Sequence, residues 1–272
     1  MNIEVTQIGV IAEKEFWDRI RNRWVLAVAA VFTIFALVIA YLGAAQQGAV
    51  GFRGIDVTIA GLVSLVIYLV PLIALILGYD AIVGERDRGS LELLLSMPIT
   101  HLELLLGKFF GLAMALTFST LAGFGLAGII LSYEIGLTAL YHYAGFLVSA
   151  LLLGWAFLSI AVMVSVVARD RIRASGIAIG LWFFYVLVYD LLLLGLLVVT
   201  EGKMSLNFFP ILLMLNPADI FRILNLFGFE EVRRLYGLAT VFPDTLANPW
   251  LMGTAMVLWI IAPLGLAIWR FR

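Results

Sequence analysis

The sequence predicts an all-α membrane protein with six transmembrane helices, and two observations support this prediction. The chain has 272 residues, 64% of them hydrophobic and 13% charged, with a mean hydropathy of +1.10. A soluble domain has a roughly half-apolar composition. The chain also contains uncharged apolar runs that are long enough to cross a hydrocarbon layer of roughly 30 Å. These runs cover residues 25–45, 57–79, 109–132, 143–168, 174–199 and 250–269, and only Asp190 interrupts them.

The distribution of Lys and Arg predicts the orientation of these spans, because cytoplasmic loops of membrane proteins are enriched in both residues. Of the 17 cations, twelve lie on the side of the two termini. The opposite segments hold the other five, which are Arg53, Lys203, Arg222, Arg233 and Arg234. We therefore expect a multi-pass protein of the inner membrane with both termini in the cytoplasm.

The first 23 residues are too polar to span a bilayer, but they carry a regular apolar row. Every fourth residue is apolar, namely Ile8, Ala12, Phe16, Ile20 and Trp24. This spacing predicts an amphipathic helix. With its neighbouring cations, such a helix is suited to lie on the inner leaflet against anionic lipid. A plain juxtamembrane linker is the alternative.

The outer segment, residues 200–249, is the longest non-spanning piece on its side. Its apolar stretch, residues 206–215, contains Pro210 and is too short to cross, which favours a re-entrant or interfacial element. An amphipathic helix then follows, up to Gly228. Its start is indicated by a capping side chain, a first-turn proline and an early acidic residue, which are Asn216, Pro217 and Asp219. Docking of another protein and packing on the membrane surface both fit this pattern.

The cytoplasmic loop of residues 84–108 is the most informative stretch. Charged residues crowd its start, and a short helix is predicted from Ser90 to Ser96, with Ser90 as its cap and Glu92 in its first turn. Pro98 disfavours continuation of the helix. A short rigid helix on a cytoplasmic loop is suited to receive force from a motor domain, although a plain charged connector would have a similar composition.

Asp190 lies inside the fifth predicted span. A carboxylate there is costly unless it is paired, protonated or hydrated, so it suggests a role in substrate passage or gating. Tyr185 and Tyr189 offer hydroxyl groups nearby, and we place all three residues on a possible translocation path. A position of Asp190 close to the outer interface is the alternative.

Catalytic and metal chemistry find little support in the sequence. The chain has no cysteine, and it lacks a Gly-rich phosphate loop that ends in Gly-Lys-Ser or Gly-Lys-Thr. His101 and His142 fall on opposite predicted faces of the membrane, and the methionines are better explained as apolar filler. We expect no catalytic residue, no metal and no cofactor in this chain, so energy must come from a partner or from an ion gradient.

The loop from Gly84 to Lys108 resembles the ABC-2 type permeases. It shares their pattern of an acidic residue, Gly-Ser, Leu-Glu, a leucine run, a small residue and a proline. The resemblance covers nearly the whole chain, and within the family it is closest to the permeases that serve nitrous-oxide reductase maturation. The stretches that carry this closer resemblance are Arg21-Asn22-Arg23-Trp24, Tyr41-Leu42-Gly43-Ala44-Ala45, Pro71-Leu72-Ile73-Ala74-Leu75 and Tyr79-Asp80-Ala81-Ile82-Val83-Gly84-Glu85.

The resemblance implies the fold of ABC-2 permeases, which is that of the type V exporters. It implies a homodimer of this chain, two cytoplasmic ABC ATPase subunits that bind ATP and Mg, and a periplasmic accessory protein. The implied function is export of a sulfur species for the copper-sulfur site of nitrous-oxide reductase. An ABC-2 exporter of a drug, lipid or polysaccharide is the alternative, followed by a secondary transporter and a membrane-embedded enzyme. Membrane lipid is an expected contact, and nucleic acid is not.

Three sets of residues become candidates for these contacts. The ATPase-coupling set is Glu85, Arg86, Asp87, Arg88, Gly89, Ser90, Leu91, Glu92, Leu95 and Pro98. A second coupling contact, which alternatively serves only to fix the topology, is formed by Arg169, Asp170, Arg171 and Arg173. The periplasmic partner is expected to contact Asn216, Asp219, Arg222, Glu230 and Arg233.

Overall fold

A computed structural model describes residues 4–42, 55–135, 138–200, 208–226 and 248–271 of the protein, and it contains no strand in these ranges. The helices in these ranges are, in chain order, α1 (Val5–Arg21), α2 (Trp24–Leu42), α3 (Ile55–Gly78), α4 (Val83–Asp87), α5 (Ser90–Ser96), α6 (His101–Ile135), α7 (Thr138–Val167), α8 (Arg171–Phe183), α9 (Tyr189–Val199), α10 (Phe208–Met214), α11 (Pro217–Leu226) and α12 (Pro249–Arg270). A π-helical turn, Phe184–Val188, joins α8 to α9.

Within the described ranges, six helical stretches are long and apolar enough to cross a membrane. They are α2, α3, α6, α7, the joined pair α8 and α9, and α12, which we number spans 1 to 6. The predicted all-α fold with six spans is therefore confirmed. Span 3 begins at His101, before its uncharged run starts at Phe109. The reason is a capping box, in which Thr100 Oγ1 accepts from the Glu103 N–H at 3.1 Å and Glu103 Oε2 accepts from the Thr100 N–H at 2.7 Å.

Span 4 is the centre of the bundle. In its most apolar window 72% of the residues are buried inside the chain, whereas the corresponding share for span 5 is 11%. Span 4 packs against spans 2, 3 and 6. Alanines such as Ala150, Ala156 and Ala161 are fully buried on it, and such small side chains let neighbouring helix backbones approach closely. Span 5 therefore lies at the periphery of the single chain.

The outer helices α10 and α11 fold back onto the bundle. α10 has seven residues, which is too short to cross the membrane. α11 packs against spans 2, 4 and 6, and its Ile220 and Phe221 are fully buried. Asn216 Oδ1 accepts from the Ala218 N–H at 3.0 Å, which confirms the predicted cap of this helix.

Candidate functional site

The short helix α5 has the bounds that the sequence predicts, and Glu92 lies in its first turn. The predicted cap is wrong, because Ser90 is the first helical residue and Gly89 precedes it with a left-handed φ of 71°. Glycine adopts this conformation without a steric penalty, which allows the sharp turn between α4 and α5. The Ser90 hydroxyl bonds instead to the carboxylate of Glu85 and thereby ties the start of α5 back to α4.

α5 has one face turned to the bundle and one turned away from it. Leu91, Leu94 and Leu95 pack against the core, so two predicted coupling residues, Leu91 and Leu95, lie on the inner side. Leu93 and Met97 point outward with 68% and 56% of their surface exposed. We call the outward side of α5, with Leu93, Met97 and the exposed Glu92, the α5 face. Sequence reasoning missed Leu93 and Met97, although a seven-residue helix with four leucines cannot bury all of them against one neighbour.

Behind the α5 face lies a buried ion cluster centred on Lys108. Its ammonium group is 3.1 Å from Glu15 Oε2 on α1 and 2.9 Å from Glu85 Oε1 on α4. Arg19 also contacts Glu15 at 3.1 Å, and Arg88 contacts Glu85 at 3.3 Å. Glu85 was predicted as an ATPase contact, but the structure turns it inward. The Lys108 cluster therefore fastens α1, α4 and span 3 together at one end of the bundle.

The pKa of Glu15 reflects this pairing. Burial by itself raises the pKa of Glu15, but Lys108 and Arg19 outweigh burial and hold it below its usual value of 4.5. A carboxyl with a lowered pKa in the folded state stabilises the fold above its usual pKa, and this stabilisation disappears as the pH falls through the lowered value.

We therefore expect the apparent melting temperature of the protein to fall as the pH drops below about 4.5. In Glu15→Gln, part of this pH dependence should be lost, because the amide does not titrate. Thermal unfolding of the purified protein at a series of pH values measures the effect. An identical pH profile for Glu15→Gln and the parent would contradict the pairing.

α1 approaches span 3 closely at two glycines. A Cβ atom on Gly107 would lie 2.6 Å from the Ile11 side chain, and one on Gly111 would lie 2.6 Å from the carbonyl oxygen of Ala12. These distances are far below normal van der Waals contact, so the two backbones touch only because glycine has no side chain. The contact places α1 directly against the Lys108 cluster.

The second predicted coupling contact, residues 169–173, is bonded to α4 and to the turn before it. Arg171 Nη2 donates to Asp80 Oδ2 at 2.8 Å, and the Arg171 N–H donates to Asp87 Oδ2 at 3.0 Å. Arg86 Nη1 donates to the carbonyl oxygen of Ala168 at 2.8 Å. Asp170 caps α8 by accepting from the Arg173 N–H at 2.8 Å. Both predicted coupling loops therefore form one rigid surface, from which the side chains of Arg169, Arg173 and Ile172 are exposed.

A second ion cluster lies at the other end of the bundle. Arg222 on α11 contacts Asp190 Oδ2 at 2.9 Å and Asp219 Oδ1 at 2.7 Å. Asn216 Nδ2 donates to the other oxygen of Asp219 at 2.9 Å. We call Asp190, Arg222, Asp219 and Asn216 the Arg222 cluster. Asp190 in span 5 is thus paired with Arg222, which lies 32 positions further along the chain.

The tyrosines near Asp190 have different roles. The Tyr189 hydroxyl donates to the carbonyl oxygen of Leu212 at 2.6 Å and so ties span 5 to α10. Tyr185 lies in the π-helical turn, and its ring packs edge-on against Phe157 and Trp259. Only Tyr189 of the two therefore bonds directly to the outer segment through its hydroxyl in the described ranges.

The outer residues predicted to contact a periplasmic partner separate into three groups. Asn216 and Asp219 are buried and bonded inside the chain, whereas Arg222 keeps about a third of its side chain exposed. Glu230 and Arg233 lie outside the described residues. Within the described ranges, no three His, Asp or Glu residues are grouped so that they could hold a metal ion. Each of the two ion clusters connects helices that lie apart in the sequence.

Comparison with known proteins decides the family. The ABC-2 family transporter proteins match residues 10–272 of the chain. The chain belongs to the ABC-2 transporter family. It is 42% identical over 273 residues to a probable ABC transporter permease protein, NosY, of Stutzerimonas stutzeri, covering 98% of this chain and 99% of the relative. It is 44% identical over 271 residues to a probable NosY permease of Pseudomonas aeruginosa, covering 97% and 98% of the two chains.

The family and the six spans together define the chain as a multi-pass permease subunit of an ABC transporter. The α5 face combines exposed apolar side chains with a helix whose other side packs against the bundle. The Arg222 cluster lies at the opposite end of the bundle, where the outer segment meets span 5.

Proposed function

We propose that the chain is the permease subunit of an exporter that delivers a sulfur species to the periplasm. The sulfur serves assembly of the copper-sulfur site of nitrous-oxide reductase. This proposal is supported by the similarity to NosY permeases over nearly the full length of both proteins. The working complex contains two copies of this chain, two cytoplasmic NosF-like ATPases that bind ATP and Mg, and a NosD-like periplasmic protein.

The α5 face carries the proposal that the ATPase docks on this chain. Leu93 on α5 and Met97 directly after its end are both exposed, and exposed apolar side chains on a short helix are typical anchors of protein interfaces. Leu91, Leu94 and Leu95 hold the helix from behind. Movement of the ATPase would therefore shift α5 as a rigid body and be transmitted to α1 and span 3 through the Lys108 cluster.

Substitution of both anchors, Leu93→Asp and Met97→Asp, should remove the ATPase from the complex. Two carboxylates would be forced into an apolar interface, and loss of one such anchor typically costs about 2 kcal/mol or more of binding free energy. The measurement is recovery of the ATPase with the tagged permease after membrane solubilisation, together with ATP hydrolysis by the recovered complex.

Val10→Asp is the matched control, because Val10 is 63% exposed on α1 and has Glu13, Lys14 and Trp17 beside it instead of residues of α5. It should leave recovery of the ATPase unchanged. Full recovery of the ATPase with the double variant would refute the docking role of α5, provided that the variant melts like the parent.

The cargo is tested separately in cells. Deletion of the gene should give nitrous-oxide reductase that contains copper but lacks the sulfur of its copper-sulfur site, and the intact gene should restore the sulfur. The sulfur and copper contents of the purified reductase are the readout. A complete copper-sulfur site in the deletion strain would rule out this cargo and favour an exporter of another substrate.

A further inference from the structure

The two halves of span 5 differ in how closely they pack against the rest of the chain. Its inner half, α8, packs against spans 2 and 4, and Arg171 fixes its base to Asp80. Its outer half, α9, exposes most of its apolar side chains, such as Leu191, Leu194 and Val198 at 66%, 58% and 78%. In the described part of the chain, the polar links from α9 to the outer segment include the Asp190–Arg222 ion pair and the Tyr189 bond to α10.

A π-helical turn separates the two halves. A π-helical turn has a wider backbone than an α-helix, and single π turns inside long helices often mark places where the helix bends. Here the turn covers Phe184–Val188, and the carbonyl oxygen of Tyr185 accepts a hydrogen bond from Asn216 Nδ2 at 2.9 Å. Span 5 therefore has an anchored base, a bend point in its middle and an outer half that is held by few polar links.

In the Arg222 cluster, the contact between Asp190 and Arg222 can break while Arg222 stays paired with Asp219. One guanidinium serves two carboxylates. If Asp190 moves away, Arg222 keeps its contact with Asp219 at 2.7 Å, and the buried part of the cluster remains neutral. The Asp219 side chain is 1% exposed, whereas Asp190 and Arg222 are each exposed by about a third. Asp190 is thus the member of the cluster that can separate from it.

The exposed side of the Asp190–Arg222 pair cannot face lipid at low cost, because charges at this depth require water or protein around them. A cavity of about 380 Å³ lies further inward, between span 2 and α8, and its lining includes Leu72, Tyr79 and Ile179. Trp182 Nε1 donates to the carbonyl oxygen of Tyr68 at 2.9 Å and joins the same two spans. The ion pair and this cavity therefore lie along one edge of span 5.

We propose that the Asp190–Arg222 pair is a latch that holds α9 against α11 and closes the outer end of the space between spans 2 and 5. Bending at the π-helical turn separates Asp190 from Arg222 and opens this space toward the outer segment. The proposal rests on the transport function proposed above and assigns its outer gate. A hinge with a breakable polar contact is a common way for membrane transporters to alternate between two states.

The test uses a cysteine as a reporter, which is possible because the chain has none of its own. Ala178→Cys places a thiol in the cavity beyond the latch, at a position that is 3% exposed. The complete transporter with its ATPase is reconstituted in liposomes without nucleotide. A charged, membrane-impermeant methanethiosulfonate reagent is added on the side of α10 and α11, and the rate of labelling is measured.

Asp190→Leu in this background should be labelled about ten times faster than the parent, because loss of one charge-assisted contact shifts an open–closed equilibrium by roughly that factor. Asp190→Glu keeps the carboxylate and should stay near the parent rate. Ser149→Ala is the matched control. It removes a bond from Asn225 of α11 to span 4 instead of span 5, and it should also leave the rate unchanged.

Two results would overturn the latch. One is an unchanged labelling rate in Asp190→Leu, checked with Asp190→Asn if the leucine variant does not assemble with the ATPase. The other is labelling of the cavity cysteine, without any substitution at Asp190, that is as fast as labelling of Val198→Cys on the exposed outer half of span 5. The labelling rate depends on neither cargo nor ATP, so it tests the latch independently of whether the cargo contains sulfur.

Discussion

Replacement of Lys108 by methionine is expected to destabilise the permease by about 3–5 kcal/mol, because it removes the buried cation that two largely buried carboxylates share. The Lys108 side chain is 6% exposed, and those of Glu15 and Glu85 are 10% and 13% exposed. Both carboxylates would lose their buried cation at the joint of α1, α4 and span 3, and only the more exposed Arg19 and Arg88 would remain beside them. A large fall in the apparent melting temperature, with poor recovery of the complex, measures this effect.

Two controls separate the loss of pairing from a loss of charge in general. Arg21→Met removes an exposed ion pair with Asp18 on α1 and should change the melting temperature little, since surface pairs contribute little. The triple variant Glu15→Gln, Glu85→Gln and Lys108→Met should recover much of the lost stability, because no unpaired buried charge remains. A Lys108→Met variant that melts like the parent would show that the cluster does not hold these helices together.

Gly111→Leu should displace α1 from span 3, since a Cβ atom at this position would lie 2.6 Å from the backbone oxygen of Ala12. A backbone atom cannot rotate out of the way as a side chain can, so the two helices must separate. We expect a destabilisation of about 1–3 kcal/mol or more, as for other overpacked contacts. The apparent melting temperature and the thiol reactivity of a cysteine at Ala12, which is buried, both report the displacement.

Gly125→Leu is the matched control for this prediction. Gly125 lies on the same helix, and no atom lies within 4 Å of the position that its Cβ would occupy. The control should melt like the parent and leave the Ala12 cysteine unreactive. Equal effects of the two substitutions would mean that leucine disturbs span 3 itself and that the approach of α1 is unimportant.

The six spans could be predicted from the sequence because each is an uncharged run that a bilayer selects by length and hydropathy alone. The bounds of α5 and the cap of α11 were also accessible, since both depend on local signals such as Pro98 and Asn216. The cap of α5 was not accessible in the same way. Whether Ser90 or Gly89 precedes the first helical turn depends on the bond of Ser90 to Glu85, which forms only when α4 is in place.

The contacts that sequence reasoning missed join distant parts of the chain. Lys108 looks like a single cation at the start of an apolar run, and its pairing with Glu15 spans 93 positions. Arg222 looks like one charge in a long outer segment until the fold places it beside Asp190. Local patterns do not contain this information, because helix packing decides which charges meet.

The distinction between the two faces of α5 has the same origin. Leu91, Leu93, Leu94 and Leu95 are the same residue type in one short run, and only the direction in which the helix meets the bundle decides which of them are buried. Exposure of Leu93 thereby becomes the most specific structural support for an ATPase contact in this chain.

A single cysteine at Leu93 tests the central claim most directly, because the chain has no other thiol. In sealed cells and in inverted membrane vesicles, a membrane-impermeant maleimide should label it only from the cytoplasmic side. Addition of the partner ATPase to stripped vesicles should then protect it from labelling. Labelling from the periplasmic side, or labelling that the bound ATPase does not slow, would contradict the assignment of α5 as the coupling helix.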